Sequence, residues 1–362
     1  FAVLVQDAIA AADRIDRRLG DPTEFELLTA VVFSWFAAER VDLALVEVGL
    51  GGRLDATHAW DGGVAAITNV DLDHTERLGP TISHIAREKA AIIERGDRAV
   101  TGATGDARAI VRRRAARLGV PLTIVDPAPV LEVDRDGLIV DLGRLGPTRI
   151  GLRGRHQAAN VAVAEAVLDA LDDAGIASVP DDARRRGYAE ARWPGRLELL
   201  AVDGREVLLD GAHNPAGATA LATALDELRP FLAPGRVTLV TASMADKDVA
   251  GIVAALARSD ALAQARIIAT AIDLPRALAA VDLARAWQHA DPGRGRTIEA
   301  EPDVALALER ALSGRPGPVV VAGSLYLVGA ARARLVDDPL LRDPARTEPI
   351  ATAPDPGDNL PR

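Results

Sequence analysis

Four short segments concentrate the residues able to do chemistry. The first is Val46-Glu47-Val48-Gly49-Leu50-Gly51-Gly52-Arg53-Leu54-Asp55-Ala56-Thr57, where an apolar run delivers a carboxylate to the mouth of a glycine-rich turn. In open α/β sheets ligands collect in the crevice at the carboxyl ends of strands, so Glu47 stands where one would be met. The glycines alone are equally consistent with a tight turn. A dinucleotide fingerprint is disfavoured, because Leu54 occupies the place of its third small residue. The second segment is Thr68-Asn69-Val70-Asp71-Leu72-Asp73-His74-Thr75, a histidine beside acids after another apolar run. His74 reads either as a hydrogen-bonded loop residue or, paired with Glu47, as a ligand to a hard cation. Mg²⁺ needs few protein ligands when phosphates supply the rest.

The third segment, Arg87-Glu88-Lys89-Ala90, continues an apolar helical stripe of Ile82, Ile85, Ala86, Ile92 and Ile93, with Lys89 at i+7 from Ile82. A lysine on a buried stripe is costly unless paired, and desolvation lowers its pKa. Two outcomes stay open. Lys89 can pair or snorkel, or its neutral amine can take up CO₂ to give a carbamate, an anionic metal ligand. Lys247 is the only other lysine in a chain that otherwise uses arginine, so a retained lysine points to chemistry that a guanidinium cannot perform. The fourth segment is Leu209-Asp210-Gly211-Ala212-His213-Asn214-Pro215-Ala216-Gly217. Asn214 as N-cap and Pro215 as first helical residue account for a well-made turn. Asp210 and His213 are left over, at a strand end beside a helix N-terminus that favours anions.

These segments need a scaffold, and the rest of the chain reads as α/β. Leu43–Val48 and Val64–Thr68 are expected as buried strands, Ser83–Glu94 and Ala107–Leu118 as helices, and Val130–Leu152 as a β-rich excursion. Gln157–Asp172 carries Val161, Ala164, Leu168 and Leu171 at helical spacing. Trp193-Pro194-Gly195-Arg196 interrupts both periodicities and marks a boundary. Beyond it Val207–Asp210, Val237–Thr241, Ile267–Thr270 and Val319–Ala322 alternate as strands with helices, which suggests a smaller Rossmann-like second domain. The domains expected are 1–193 and 194–341, with a disordered Pro-, Asp- and Thr-rich tail over 342–362.

Composition limits the function. At 362 residues the chain is long enough for two cores, built mainly from aliphatic residues since aromatics make up only 3%. A net charge of -10 argues against a nucleic-acid or anionic-membrane surface. The absence of cysteine excludes disulfides and thiolate chemistry. No apolar run reaches membrane-spanning length and no signal peptide is evident, so a cytoplasmic location is expected.

Taken together the motifs resemble the folylpolyglutamate/dihydrofolate synthase branch of the Mur ligases. The resemblance runs from Thr23-Glu24-Phe25-Glu26 to Gly323-Ser324-Leu325-Tyr326 and rests on E-V-G-L-G-G-R-L-D-A-T, D-H-T-x-x-L-G, I-A-R-E-K-A, H-Q-x-x-N, W-P-G-R-L-E, D-G-A-H-N-P and A-D-K-D, in the family's order. It implies a Mur-ligase-like fold, with an incomplete P-loop-type ATPase domain before the Rossmann-like one. It implies Glu47 and His74 as Mg²⁺ ligands, Lys89 as the carbamylated lysine, and Asn160, Arg196 and Asp210 as ATP-binding residues. Glu24, Phe25, Glu26 and Leu27, with Leu54, Asp55 and Ala56, match the pterin-binding segments, while His213 and Ser324 would hold or serve the incoming glutamate. The activity implied is ATP-dependent addition of L-glutamate to a folate or dihydropteroate carboxylate through an acyl phosphate, by a monomer acting on small molecules alone.

The sequence departs from the pattern at three places. Ala91 replaces a glycine after Glu-Lys-Ala, and His58 replaces an asparagine after Asp-Ala-Thr. The G-T-x-G-K-G-[ST] phosphate loop is not found, so the chain is expected to enter the family pattern partway through its first domain and to ligate poorly. A non-catalytic remnant and a cell-wall Mur ligase are the other readings. The E-V-G-L-G-G-R-L-D-A-T segment favours the folate branch, and the intact Glu47, His74, Lys89 and Asp210 set favours an enzyme.

Overall fold

The computed structural model describes residues 1–15, 18, 20–290 and 295–337. Helices α1 (Ala2–Ala12) and α2 (Glu24–Glu39) come first. Thr23 and Glu26 start α2 as a reciprocal capping box, and Arg40 in the left-handed region ends it. Strands β1 (Val64–Ile67), β2 (Arg98–Thr101) and β3 (Leu122–Ile124) form a parallel sheet in that order, joined through α3 (Thr75–Leu78), α4 (Ile82–Ala90) and α5 (Gly105–Leu118). Ala86, Ala90, Ile93, Ala107, Ile110 and Val111 close one face of this sheet. An antiparallel sheet of β4 (Val130–Asp134), β5 (Gly137–Asp141) and β6 (Pro147–Ile150) follows. Then α6 (Gln157–Asp173) covers the other face through Val163, Ala166 and Ala170 against Val100, and α7 (Asp181–Glu190) packs on β6.

The expected strand over Leu43–Val48 is not formed. The segment is irregular, and Leu45 is 93% exposed. Its apolar run supplies strand preference, but a strand exists only through a ladder, and among the described residues no other strand pairs with it. The helix expected to reach Glu94 stops at Ala90, because the chain turns there and the Asp97 carboxylate takes the Glu94 N–H at 2.7 Å.

After Trp193–Arg196 the chain builds a six-stranded sheet. Its strands are β7 (Glu198–Val202), β8 (Arg205–Asp210), β9 (Thr238–Thr241), β10 (Arg266–Ala269), β11 (Thr297–Ala300) and β12 (Val319–Ala322), in the order β11-β10-β9-β12-β8-β7. Only β7 is antiparallel to its neighbour. Helices α8 (Pro215–Leu228), α9 (Val249–Ala257) and α10 (Ala280–Ala290) cover one face, and α11 (Val304–Ser313) and α12 (Leu325–Leu335) the other. The central strands are continuous apolar runs because both faces are buried, as parallel sheets require. This is the Rossmann-like half that the strand pattern implied. Edge strands β7 and β11 carry polar residues and were not anticipated. The tail expected over 342–362 lies outside the described residues. Among them, no helix is long and apolar enough to cross a membrane.

Candidate active site

Asp210 ends β8 and is buried, and each of its carboxylate oxygens accepts one backbone N–H. Oδ1 accepts from the Ala212 N–H at 2.9 Å and Oδ2 from the Leu197 N–H at 3.0 Å. Burial pushes the carboxyl up from its ordinary value, opposed by those two N–H groups and by the Arg196 and His156 charges. The Leu197 bond also fixes the turn before β7. Leu197 holds a left-handed φ of 47° while its side chain is buried, and Gly195 N–H donates to Glu198, which Arg332 clamps from α12. The turn thereby lays the Arg196 guanidinium over Gly211, where a Cβ would come within 2.8 Å of Nη1. Gly211 is needed for that approach. The half-buried Arg196 side chain makes no hydrogen bond or ion pair among the described residues, so its donors are unspent, and its charge reaches Asp210.

Asn160 lies on the first turn of α6, exposed, with Nδ2 donating to Gln157 Oε1 at 2.8 Å and its carbonyl oxygen left over. His213 donates from Nδ1 to the Gly211 carbonyl at 2.9 Å. That bond selects one tautomer of the neutral ring and leaves the Nε2 lone pair available. Ser324 is buried, and its Oγ accepts from the Tyr326 N–H as the N-cap of α12. Its hydroxyl hydrogen remains free to donate.

On the first domain, Asp55 knits the glycine-rich turn. Oδ2 takes the Leu50 N–H at 2.8 Å, and Oδ1 takes the Thr57 N–H and hydroxyl while capping a short 3₁₀ turn over Ala56–Ala59. Burial raises this carboxyl, but the Thr57 and backbone hydrogen bonds prevail and hold it below the ordinary carboxylate range. Gly52 rests on the end of α4, where a Cβ would meet the Glu88 carbonyl at 2.9 Å, and Arg53 pairs with Glu88 at 2.9 Å. The turn thus sits directly on the helix that carries Lys89. Phe25 of α2 and the Asp55 carboxylate both crowd Gly49, so this glycine is the common neighbour of the two expected pterin segments. Glu26 instead spends its carboxylate on the capping box, while Leu54 is exposed.

Lys89 is half-buried and unpaired among the described residues, Glu47 is exposed, and His74 opens α3 with a φ of 50° and its side chain half in solvent. No group of three or more His, Asp or Glu among the described residues is disposed to hold a metal. The two domains meet beside His74. Asn214 Nδ2 donates to Asp73 Oδ2 at 3.2 Å, and Asp73 Oδ1 accepts the His74 N–H at 2.9 Å. Burial would raise the Asp73 carboxyl, but the His74 N–H, the His74 ring, Lys247 and Asn214 together lower it. Lys247, half-buried after β9 and free of any ion pair among the described residues, therefore faces this junction. In sequence the A-D-K-D motif gives Lys247 no role, and the rarity of lysine is the signal that marks it.

Residues 195–325 match the Mur ligase, glutamate ligase domain. The chain is 33% identical over 325 residues to the dihydrofolate synthase/folylpolyglutamate synthase of Bacillus subtilis, covering 87% of this chain and 73% of that protein. It is 36% identical to the Mycobacterium tuberculosis protein of the same name, covering 88% and 69%. A "Probable bifunctional folylpolyglutamate synthase/dihydropteroate synthase" of Halobacterium salinarum is 38% identical over 86% of this chain, which spans only 37% of that longer protein. Among solved structures, Mycobacterium tuberculosis folylpolyglutamate synthase complexed with ADP and AMPPCP superposes with a TM-score of 0.79 at 31% identity, covering 93% of this chain and 79% of that one. The buried Asp210, the Arg196 turn and these relatives lead to one assignment: the chain belongs to the folylpolyglutamate synthase/dihydrofolate synthase family of Mur ligases.

Proposed function

We propose that the chain contributes to ATP-dependent ligation of L-glutamate to the carboxylate of a folate or dihydropteroate acceptor. The observation that carries this reading is Arg196, an unpaired guanidinium braced by a turn that is itself locked to Asp210. Such a preorganised cation suits a nucleotide phosphate, and each Asp210 oxygen keeps a lone pair for a hydroxyl or amine donor. Asn160 would read the base or sugar from α6. Glu47, which has no side-chain partner among the described residues, and His74, whose Nε2 lies 4.0 Å from Asp73 Oδ1, are the two donors that would hold Mg²⁺, and Lys89 as its carbamate would add oxygen ligands. Bound Mg²⁺ would supply charge neutralisation for the transferring phosphoryl group.

The acceptor carboxylate attacks the γ-phosphorus and ADP departs. The glutamate amine then attacks the acyl carbon, loses a proton, and expels phosphate. His213, with Nε2 open, would take that proton, and the Ser324 hydroxyl and Lys247 would hold carboxylates of the amino acid. The task of the protein is positioning. The acceptor would lie along Phe25, Leu54, Asp55 and Ala56.

Residues 1–362 contain no G-T-x-G-K-G-[ST] loop, so by themselves they are expected to bind acceptor and nucleotide but to turn over slowly. The test titrates dihydropteroate and tetrahydrofolate against tryptophan fluorescence, then measures glutamate-dependent ADP formation. Saturable binding of at least one pterin with weak turnover is expected. Binding of neither acceptor removes the folate assignment, and vigorous turnover refutes the need for the loop.

A further inference from the structure

We propose that the amino-terminal edge of the six-stranded sheet holds a small phosphate-type anion. A cavity of about 360 Å³ opens there, lined by Arg236, Thr238, Arg266, Thr297, Gly314 and Arg315. Arg266 and Thr297 are the first residues of β10 and β11, Arg236 and Thr238 lead into β9, and Gly314-Arg315 make the turn that follows α11. Asp210 and Ser324 lie at the opposite, carboxyl edge, about 10 Å away along a four-residue strand. The cavity is therefore separate from the proposed ligation site, and the inference does not rest on that reading.

Charge at this edge is lopsided. Arg236 turns its Nε to the Gln264 carbonyl and its Nη2 to the Ala265 carbonyl and the Thr297 hydroxyl, all neutral acceptors. Arg205 donates to the Gly314 and Arg315 carbonyls. Arg315 itself has no side-chain partner among the described residues. Only Arg266 meets a carboxylate, Glu299 at 2.5 Å, and its Nη1 caps the Arg310 carbonyl at 2.8 Å. Four guanidiniums thus share one acid, in a chain whose net charge is -10. Arg236 Nη1, Arg266 Nη2 and the whole Arg315 guanidinium have no acceptor among the described residues. Thr238 is 7% exposed, lines the cavity, and makes no side-chain hydrogen bond among the described residues. Planar guanidinium forks match tetrahedral oxyanions in bidentate fashion, and a local positive well in an acidic protein concentrates such anions.

The experiment titrates inorganic phosphate into the ¹⁵N-labelled full chain and follows the amides of Gly295, Thr297 and Gly314. Saturable shifts at these positions are expected, weakened at least about fivefold in Arg315→Glu, whose exposed side chain makes no hydrogen bond or ion pair among the described residues. Arg315→Lys, which keeps charge but not the fork, is expected to fall between. Shifts that never saturate, or that are equal in Arg315→Glu, overturn the site. Citrate binding more tightly than phosphate at the same amides overturns the phosphate assignment.

Discussion

In the six-stranded sheet Val207, Leu209, Val240, Ile268 and Val321 are closed off by helices, while Leu208, Leu239 and Ile267 are closed off on the other face. The first domain has equally apolar stretches in α2 and residues 41–48, yet Phe25, Leu28, Val32, Trp35, Leu43 and Leu45 stand exposed. Both regions have the composition of a core. Only one has the ladder and the covering helices that turn composition into burial. Apolar sequence therefore states a preference, and a neighbour decides whether it is met. The glycine-rich turn of the first domain is accordingly held by side-chain ties (Asp55, Arg53 with Glu88, His58 with Glu94) rather than by a sheet.

The sharpest way to break this comparison is to place one charge in each region. Val321→Asp buries a carboxylate at the centre of the sheet and is expected to cost about 4 kcal/mol or more in urea unfolding. Leu45→Asp is expected to change stability by no more than about 0.5 kcal/mol in residues 1–362. Equal losses would mean that residues 41–48 are packed after all.

A smaller effect is expected at Asp97, which is 2% exposed and has Oδ1 unpartnered among the described residues. Burial, with Asp61 and Glu94 beside it, pushes its carboxyl from 3.8 up to about 6. Between those values the folded chain keeps a proton that the unfolded chain has released, so stability falls as pH rises through that window and stays lower above it. Asp97→Asn retains an acceptor for the Glu94 N–H and is expected to be about 1–3 kcal/mol more stable than the parent at pH 7.5, with the advantage gone near pH 4. Unfolding curves of parent and variant that run parallel across this range would contradict it.

The smallest effect concerns His58, whose Nδ1 lies 3.3 Å from the Arg53 carbonyl and whose Nε2 lies 3.1 Å from Glu94 Oε1. Its Nε2 makes no hydrogen bond, so the link from the glycine-rich turn to the chain just after α4 rests on the ion-pair approach to Glu94. His58→Asn is expected to weaken pterin binding by about two- to fivefold without shifting the unfolding midpoint, as loss of one partly exposed tie should. A variant that binds as tightly as the parent would show that the turn holds itself.

How much was legible divides along the same line. The central strands β8, β9, β10 and β12 were readable because a strand buried on both faces is an uninterrupted apolar run. Edge strands β7 and β11 were not, since Glu198 and Glu299 break that signal. Asp210 and His213 stood out as residues that a turn could not explain. Their roles in holding Leu197 and Gly211 needed coordinates, because those bonds join positions that no periodicity links. The strand over Leu43–Val48 was misread for want of a partner that sequence cannot supply. The buried Asp97 was invisible, being one acid among many until the fold closed over it.

The central claim is that Arg196 and Asp210 mark the nucleotide site. Calorimetric titration of Mg·ADP into the 362-residue chain tests it most directly, comparing the parent with Arg196→Ala and Arg315→Ala. One saturable site is expected, weakened at least about tenfold by loss of the charge-assisted bonds in Arg196→Ala and unchanged in Arg315→Ala at the far edge. Undetectable binding to the parent, or equal affinity in Arg196→Ala, would contradict the account.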